Sequence, residues 1–221
     1  AFNLAERFRC PVFLASNKEI SMTRESIDLD RLEIPPPVER TAPAPETAYV
    51  PFAVAGEHNV PDFLPIGDER LVRQTSSTHG PDGYITTDPE VIERGQQRLE
   101  KKITAAVDTF TFYEEHRVSG ADTLVIAYGV SARAARVAVD ELNRAGTPVS
   151  LLTLKTLWPV PEALIRQAAA DHRRVVIVEM NLGQYVREIR RVLVNKPVAF
   201  FGRMNGNLIP PQRFKEVIAH G

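Results

Sequence analysis

Cysteine is nearly absent from this 221-residue chain, which carries Cys10 alone. An internal disulfide, a structural zinc and an iron–sulfur cluster all need more donors than that. Cys10 precedes the apolar run Pro11 to Ala15 and reads as a small buried hydrophobe. A lone thiol fits a reducing compartment, and a cytoplasmic setting is expected. No apolar run approaches the ~20 residues that span a bilayer, and no basic segment followed by an apolar one opens the chain. The net charge of -1 gives no electrostatic footprint for nucleic acid or an anionic membrane. Nucleophile and metal signatures are missing too. There is no G-x-S-x-G elbow, no Cys/His pairing and no H-E-x-x-H. The phosphate-binding G-x-G-x-x-G spacing and the Walker lysine are also absent.

Proline, by contrast, is plentiful, and it divides the chain. Hydrophobic residues make up 43% and charged residues 25%, ordinary for a globular protein able to bury a core. Residues 1–32 read as a short amphipathic helix around Phe2, Ala5 and Phe8, then a buried strand over 11–15. One helix and one strand cannot close a sheet. With Ala1 in place of an initiator methionine, these residues are expected to be the tail of a larger α/β domain. Residues 33–87 are loop-like: eight prolines fall between Pro35 and Pro65, and Pro35-Pro36-Pro37 favours extended polyproline backbone. So long a connection is uncommon unless it is functional or interdomain. It carries the polar turns Gly56-Glu57-His58-Asn59-Val60 and Ser77-Thr78-His79-Gly80. His58 and His79 are candidate ligands or acid/base groups because histidine titrates near neutrality, or they are ordinary loop histidines. A long helix follows. Thr87-Asp88-Pro89-Glu90 supplies a cap, proline at the first position and acid in the first turn. Val91, Ile92, Leu99, Ile103, Ala106, Val107 and Phe110 form its buried stripe. Arg94, Arg98, Lys101 and Lys102 are placed on a solvated face, with a phosphate-binding comb as the alternative.

From Gly120 onward the pattern is a regular β–α alternation, with strands over 124–127, 149–154, 175–179 and 198–201. Helices are expected over 131–145, 162–170, 182–193 and 212–219. Near-continuous apolar strands joined by crossover helices imply an α/β fold, a mostly parallel sheet with helices on both faces.

Chemistry in such a sheet belongs outside the carboxyl ends of its strands, which selects two turns. At Gly129-Val130-Ser131, Ser131 is a good cap, while Arg133 and Arg136 place positive charge against the helix dipole. A bound anion or an acidic partner would each remove that conflict, so Gly129, Ser131 and Arg133 are anion or cofactor-phosphate candidates. At the second turn, Glu179 ends a buried strand. It is either a general acid or base with desolvated carboxyl, or an acceptor for backbone or arginine donors. Asn181 would cap the next helix, and Gly183 would permit close backbone approach. Trp158-Pro159-Val160-Pro161 is a rigid apolar loop suited to packing. Trp158, Glu179, Asn181, Gly183 and Gln184 are interface candidates. No catalytic residue and no metal ligand is identified.

Three segments carry a resemblance: Tyr128-Gly129-Val130-Ser131-Ala132-Arg133-Ala134-Ala135-Arg136, Thr156-Leu157-Trp158-Pro159-Val160-Pro161 and Glu179-Met180-Asn181-Leu182-Gly183-Gln184. Together they resemble the alpha subunit of 2-oxoacid:ferredoxin oxidoreductases, of the 2-oxoglutarate and branched-chain types. Ala1 to Phe8 with Pro11 to Leu14 is similar to the closing helix and strand of that subunit's pyrimidine-binding domain. Gly56 to Val60 and Thr78 to Asp88 resemble its interdomain connection. The resemblance implies that residues 120–221 form a transketolase C-terminal-like domain and 33–119 a connector with a long helix. It also implies an assembly that uses thiamine diphosphate, magnesium and an iron–sulfur cluster. That assembly oxidatively decarboxylates a 2-oxoacid to an acyl-CoA and reduces ferredoxin. Its cofactor-binding parts are the upstream part of the alpha subunit and the beta subunit, so no cofactor is expected on this chain alone. The alternative is a free-standing anion- or nucleotide-binding regulatory module.

Overall fold

The computed structural model describes residues 1–54, 60–67 and 69–220. The expected turn at Gly56, Glu57, His58 and Asn59 lies outside the described residues. The chain divides into two compact units, one of Ala1–Ala15 with Ser26–Phe110 and one of Ser16–Glu25 with Thr111–Gly221.

In the first unit, helix α1 (Phe2–Phe8) packs against the end of the long helix α3 (Pro89–Thr104). Phe8 and Phe110 meet edge to face with ring centroids 5.2 Å apart, and Ala106 completes a small buried cluster. The proline strap between them is held by side chains. Asn3 donates to the carbonyl of Pro36 at 2.8 Å and accepts from the amide of Val38 at 3.0 Å. Extended polyproline backbone has no internal hydrogen bonds, so clamps of this kind must come from elsewhere. α3 begins as its sequence dictates, with Asp88 accepting from the amides of Glu90 and Val91 and Pro89 in the first turn.

Several expectations fail in this part of the chain. Leu99, read into the buried stripe, is 43% exposed, and Cys10 is half-buried. Residues 11–15 form no strand and pair with none of the described residues, and Phe13 is 91% and Leu14 87% exposed. A strand exists through its neighbours' hydrogen bonds, and none of the described residues supplies a partner ladder here. α3 stops at Thr104, and Val107–Thr109 turns as a 3-10 helix, so the apolar stripe reaches Phe110 only by changing helix type. Lys102, placed on the solvated face, is buried. Its long aliphatic stem tolerates apolar surroundings, and periodicity ignores that stem.

Short helix α2 (Lys18–Met22) belongs to the second unit. There β1 (Tyr113–His116), β2 (Thr123–Tyr128), β3 (Val149–Leu154), β4 (Arg174–Glu179) and β5 (Val198–Gly202) form a sheet in the order β1-β3-β2-β4-β5. The last four are parallel, and β1 runs antiparallel along the edge of β3. Four helices cross over or flank this sheet: α4 (Gly129–Arg144), α5 (Glu162–Ala169), α6 (Gln184–Val192) and α7 (Pro211–His220). Strand alternation assigns the faces. Leu124 and Ile126 pack with α5 and α6 residues such as Ile165 and Ile189. Val125 and Ala127 point the other way, towards Ala135, Val139 and Phe214 of α4 and α7. Alanines on α4 let its backbone come close to the sheet, and burying each branched apolar side chain contributes about 1.5–3 kcal/mol. The parallel sheet covered on both faces is as the sequence implied; edge strand β1 is an addition.

Candidate functional site

From β2 the chain moves to β3 on one side, then returns to lay β4 against β2 on the other. That reversal makes the carboxyl ends of β2 and β4 the place where open α/β sheets bind ligands. The paired register of these strands runs from Thr123 and Arg174 to Ile126 and Ile177. Beyond it, Tyr128 and Glu179 face each other across the opening crevice, and their side chains close it.

Glu179, 1% exposed, receives three donors. Its Oε2 accepts from the Tyr128 hydroxyl at 2.8 Å and the Tyr185 amide at 3.0 Å, and its Oε1 accepts from the Val186 amide at 2.7 Å. Those amides lie in the first turn of α6, where N–H groups lack intrahelical partners and the dipole favours an anion. Asn181 completes the cap. Its Oδ1 accepts from the amides of Gly183 at 2.7 Å and Gln184 at 3.1 Å, while its Nδ2 donates to the Tyr128 hydroxyl at 2.9 Å. The Tyr128 hydroxyl therefore donates to Glu179 and accepts from Asn181. Burial first, and then the bond to Glu179, push the Tyr128 phenol well above its ordinary pKa of 10.0. Tyr185 is raised likewise, mainly by burial. Its ring meets Tyr128 edge to face at 5.4 Å, and its hydroxyl is buried without a hydrogen-bond partner among the described residues. Gly183 is left-handed at φ 86°, and a Cβ there would stand 3.0 Å from Val186 and 3.1 Å from Phe200. Both backbone sign and space call for glycine. As an acid or base, Glu179 would need a face open to a ligand; three of its roughly four acceptor directions are turned to protein donors and the group is 1% exposed.

The turn after β2 is filled as well. α4 starts at Gly129 with Tyr128 as its cap, so Ser131 lies inside the first turn, buried, rather than capping it. Extended Tyr128 brings the helix in earlier than a serine cap would, and the exposed amide goes to a side chain from far away. Asn17 Oδ1 accepts from the Val130 amide at 2.8 Å. Arg133 pairs with Glu25 at 2.5 Å, and Arg136 with Glu114 at 3.0 Å. The charge conflict read in the sequence is thus met by acids of the same chain. Sequence reading had no signal for Asn17 beyond a polar residue in a loop, because its partner lies 113 positions away.

The interface candidates divide by exposure. Trp158 is 77% exposed in the loop after β3, and Gln184 is exposed at the start of α6; Leu182, not one of the candidates, is 66% exposed after β4. Glu179 and Gly183 are buried, and Asn181 is half-buried. His79 lies in the other unit, stacked on Phe52 at 3.8 Å with its Nδ1 at 2.9 Å from the Gly80 carbonyl oxygen. Among the described residues no three His, Cys, Asp or Glu side chains converge as metal ligands.

Comparison with known proteins follows the same lines. Residues 121–214 match the family model for pyruvate:ferredoxin oxidoreductase core domain II. The 2-oxoglutarate synthase subunit KorA of Methanothermobacter thermautotrophicus is 32% identical over 99% of this chain and 58% of its own length. The ketoisovalerate oxidoreductase subunit VorB of the same organism is 30% identical over 95% of this chain and 52% of its own. The chain therefore spans little more than half the length of these relatives. Among solved structures, 2-oxoglutarate:ferredoxin oxidoreductase from Magnetococcus marinus, with 2-oxoglutarate, coenzyme A and succinyl-CoA bound, superposes with a TM-score of 0.76. It is 22% identical and covers 83% of this chain and 32% of that one. This last likeness speaks to the fold.

Proposed function

We propose that this chain, whose residues 121–214 match the pyruvate:ferredoxin oxidoreductase core domain II model and which is 32% identical to a KorA subunit, is the C-terminal part of the alpha subunit of a 2-oxoacid:ferredoxin oxidoreductase. Its duty in this reading is assembly rather than catalysis. The assembly oxidatively decarboxylates a 2-oxoacid, 2-oxoglutarate before others, to an acyl-CoA and passes electrons to ferredoxin. KorA similarity along nearly the whole chain supports the substrate class. One observation carries the structural role: Tyr128, Glu179, Asn181 and the amides of α6 satisfy one another across the crevice where a ligand would otherwise sit. The exposed Trp158 and Leu182, on loops at the same end of the sheet, are the side chains offered to partner parts of the enzyme.

Thiamine diphosphate, magnesium and an iron–sulfur cluster would supply decarboxylation and electron transfer in the complete enzyme. The donors here do not fit them. One cysteine cannot ligate a cluster, no acidic or histidine group gathers for a metal among the described residues, and the buried Glu179 is already committed. These groups are assigned to the upstream part of the alpha subunit and the beta subunit. Residues 120–221 correspond in this proposal to a transketolase C-terminal-like domain, 33–119 to the connection and 1–32 to the tail of a pyrimidine-binding-type domain. No helix among the described residues is long and apolar enough to cross a membrane, and a cytoplasmic setting is proposed.

Reconstitution tests the assignment. The 221-residue chain alone should show no 2-oxoacid-dependent reduction of a viologen dye. Adding the upstream part of the alpha subunit and the beta subunit should produce it. Turnover by the isolated chain would refute the reading.

A further inference from the structure

We infer that Ser16–Glu25 is a detachable clasp on the second unit, fastened to α4 by Asn17 and Glu25 and covering an apolar groove. The inference is independent of the enzyme assignment. The clasp is fastened at its ends and loosely seated between them. At one end Asn17 supplies the cap that α4 lacks locally. At the other, Glu25 meets Arg133 with both side chains about half exposed. Between these points α2 buries no residue, and Met22 is 74% exposed.

Beneath it lies a cavity of about 390 Å³, bounded by Ile20 and Thr23 on the clasp and by Val130, Ala134, Met180 and Ile209 on the body. The groove is partly open to solvent beside α2, which covers it without filling it. The seat is nonetheless specific. Gly129 is left-handed at φ 57°, and a Cβ there would stand 2.4 Å from Asn17 Oδ1. Only glycine lets the Asn17 amide reach the helix. Among the described residues the segment is held by one side-chain cap, one solvated ion pair and the half-buried Ile20, so it opens locally at far lower cost than the sheet below it. Opening bares the Val130 amide and the groove while the strands stay paired.

Limited trypsin digestion and amide exchange on the 221-residue chain test this. Lys18 and Arg24 lie within the clasp, and cleavage there reports the open population when closing is fast. Asn17→Ala and Arg133→Glu should each raise cleavage at both sites, and Val130 exchange, by about fivefold, the scale of one lost cap. Asn17→Asp keeps an acceptor at the helix start and should cleave no faster than the parent. Arg133→Glu combined with Glu25→Arg, read by Val130 exchange because the new arginine adds a tryptic site, should return exchange to within about twofold of the parent. Equal cleavage in parent and variants overturns the inference. So does faster Val130 exchange shared by Leu124–Ala127 amides, because that marks opening of the whole sheet.

Discussion

Glu179→Gln separates a structural carboxylate from a catalytic one. Glutamine is nearly isosteric, but only one of its two terminal atoms accepts. Placed with its oxygen at the Oε2 position, it keeps the Tyr128 hydroxyl and the Tyr185 amide. Its NH₂ then faces the Val186 amide, donor against donor. An unsatisfied buried donor costs about 1–3 kcal/mol. Loss of negative charge at the first turn of α6 costs about a further 0.3–2 kcal/mol. Together the substitution should remove roughly 2–4 kcal/mol, a large share of the ~5–15 kcal/mol that holds a domain together.

Exchange of the fully buried β2 and β4 amides, Val125 and Ile177 among them, is the assay, since the slowest amides report opening of the sheet. A loss of that size accelerates them by more than about twentyfold. Tyr128→Phe should cost about 1–2 kcal/mol by leaving Asn181 Nδ2 without its acceptor and Glu179 with two donors. The double variant should cost less than the sum of the two, by about 1 kcal/mol or more, because both groups share one hydrogen bond. A Glu179→Gln chain within about 0.5 kcal/mol of the parent, the ordinary range for inconsequential substitutions, would refute the reasoning. Glu179 would then have to be sought as a reacting group.

Two further predictions concern buried titratable groups. His172 is buried beside Arg117, Lys196 and Asp171, with its Nδ1 at 2.9 Å from the Ala168 carbonyl oxygen; burial chiefly holds its pKa below the ordinary 6.5. The unfolded chain takes up that proton first, so stability is full above pH 6.5 and declines as pH falls towards the folded value. A His172 imidazole titrating at or above 6.5 by NMR contradicts this. Lys102 is buried with no hydrogen bond or ion pair among the described residues, and desolvation lowers its pKa. Lys102→Met should therefore stabilise the first unit at neutral pH by about 1–3 kcal/mol; in urea titrations the gain should shrink as pH rises from the lowered folded pKa towards 10.5 and be gone above it, and a destabilised variant rules it out.

The sheet was legible because its strands are continuous apolar runs and its helices carry one stripe each. Both signals depend on neighbours within a dozen residues, and the four parallel strands emerge within a residue or so at each end. β1 escaped because Tyr-Glu-Glu-His at an exposed edge shows no alternation of apolar and polar residues. The false strand at 11–15 is the same limitation reversed: apolar residues indicate burial, but only a partner ladder makes a strand. The crevice was legible in part. Glu179 and Asn181 could be read as acceptors and caps because α6 begins a few residues later. Tyr128 and Asn17 could not be read, since their partners lie 51 and 113 positions away. The same distance explains why the charge conflict at Arg133 left a bound anion and an acidic partner both open. A helix start with unpaired amides and nearby arginines has two meanings when local sequence is all there is, and one when a distant loop brings Asn17 and Glu25 to it. What distinguishes a binding turn from a structural one in this fold is therefore whether the polar groups at the strand ends are left with donors and acceptors to spare. At β2 and β4 they are spent on each other.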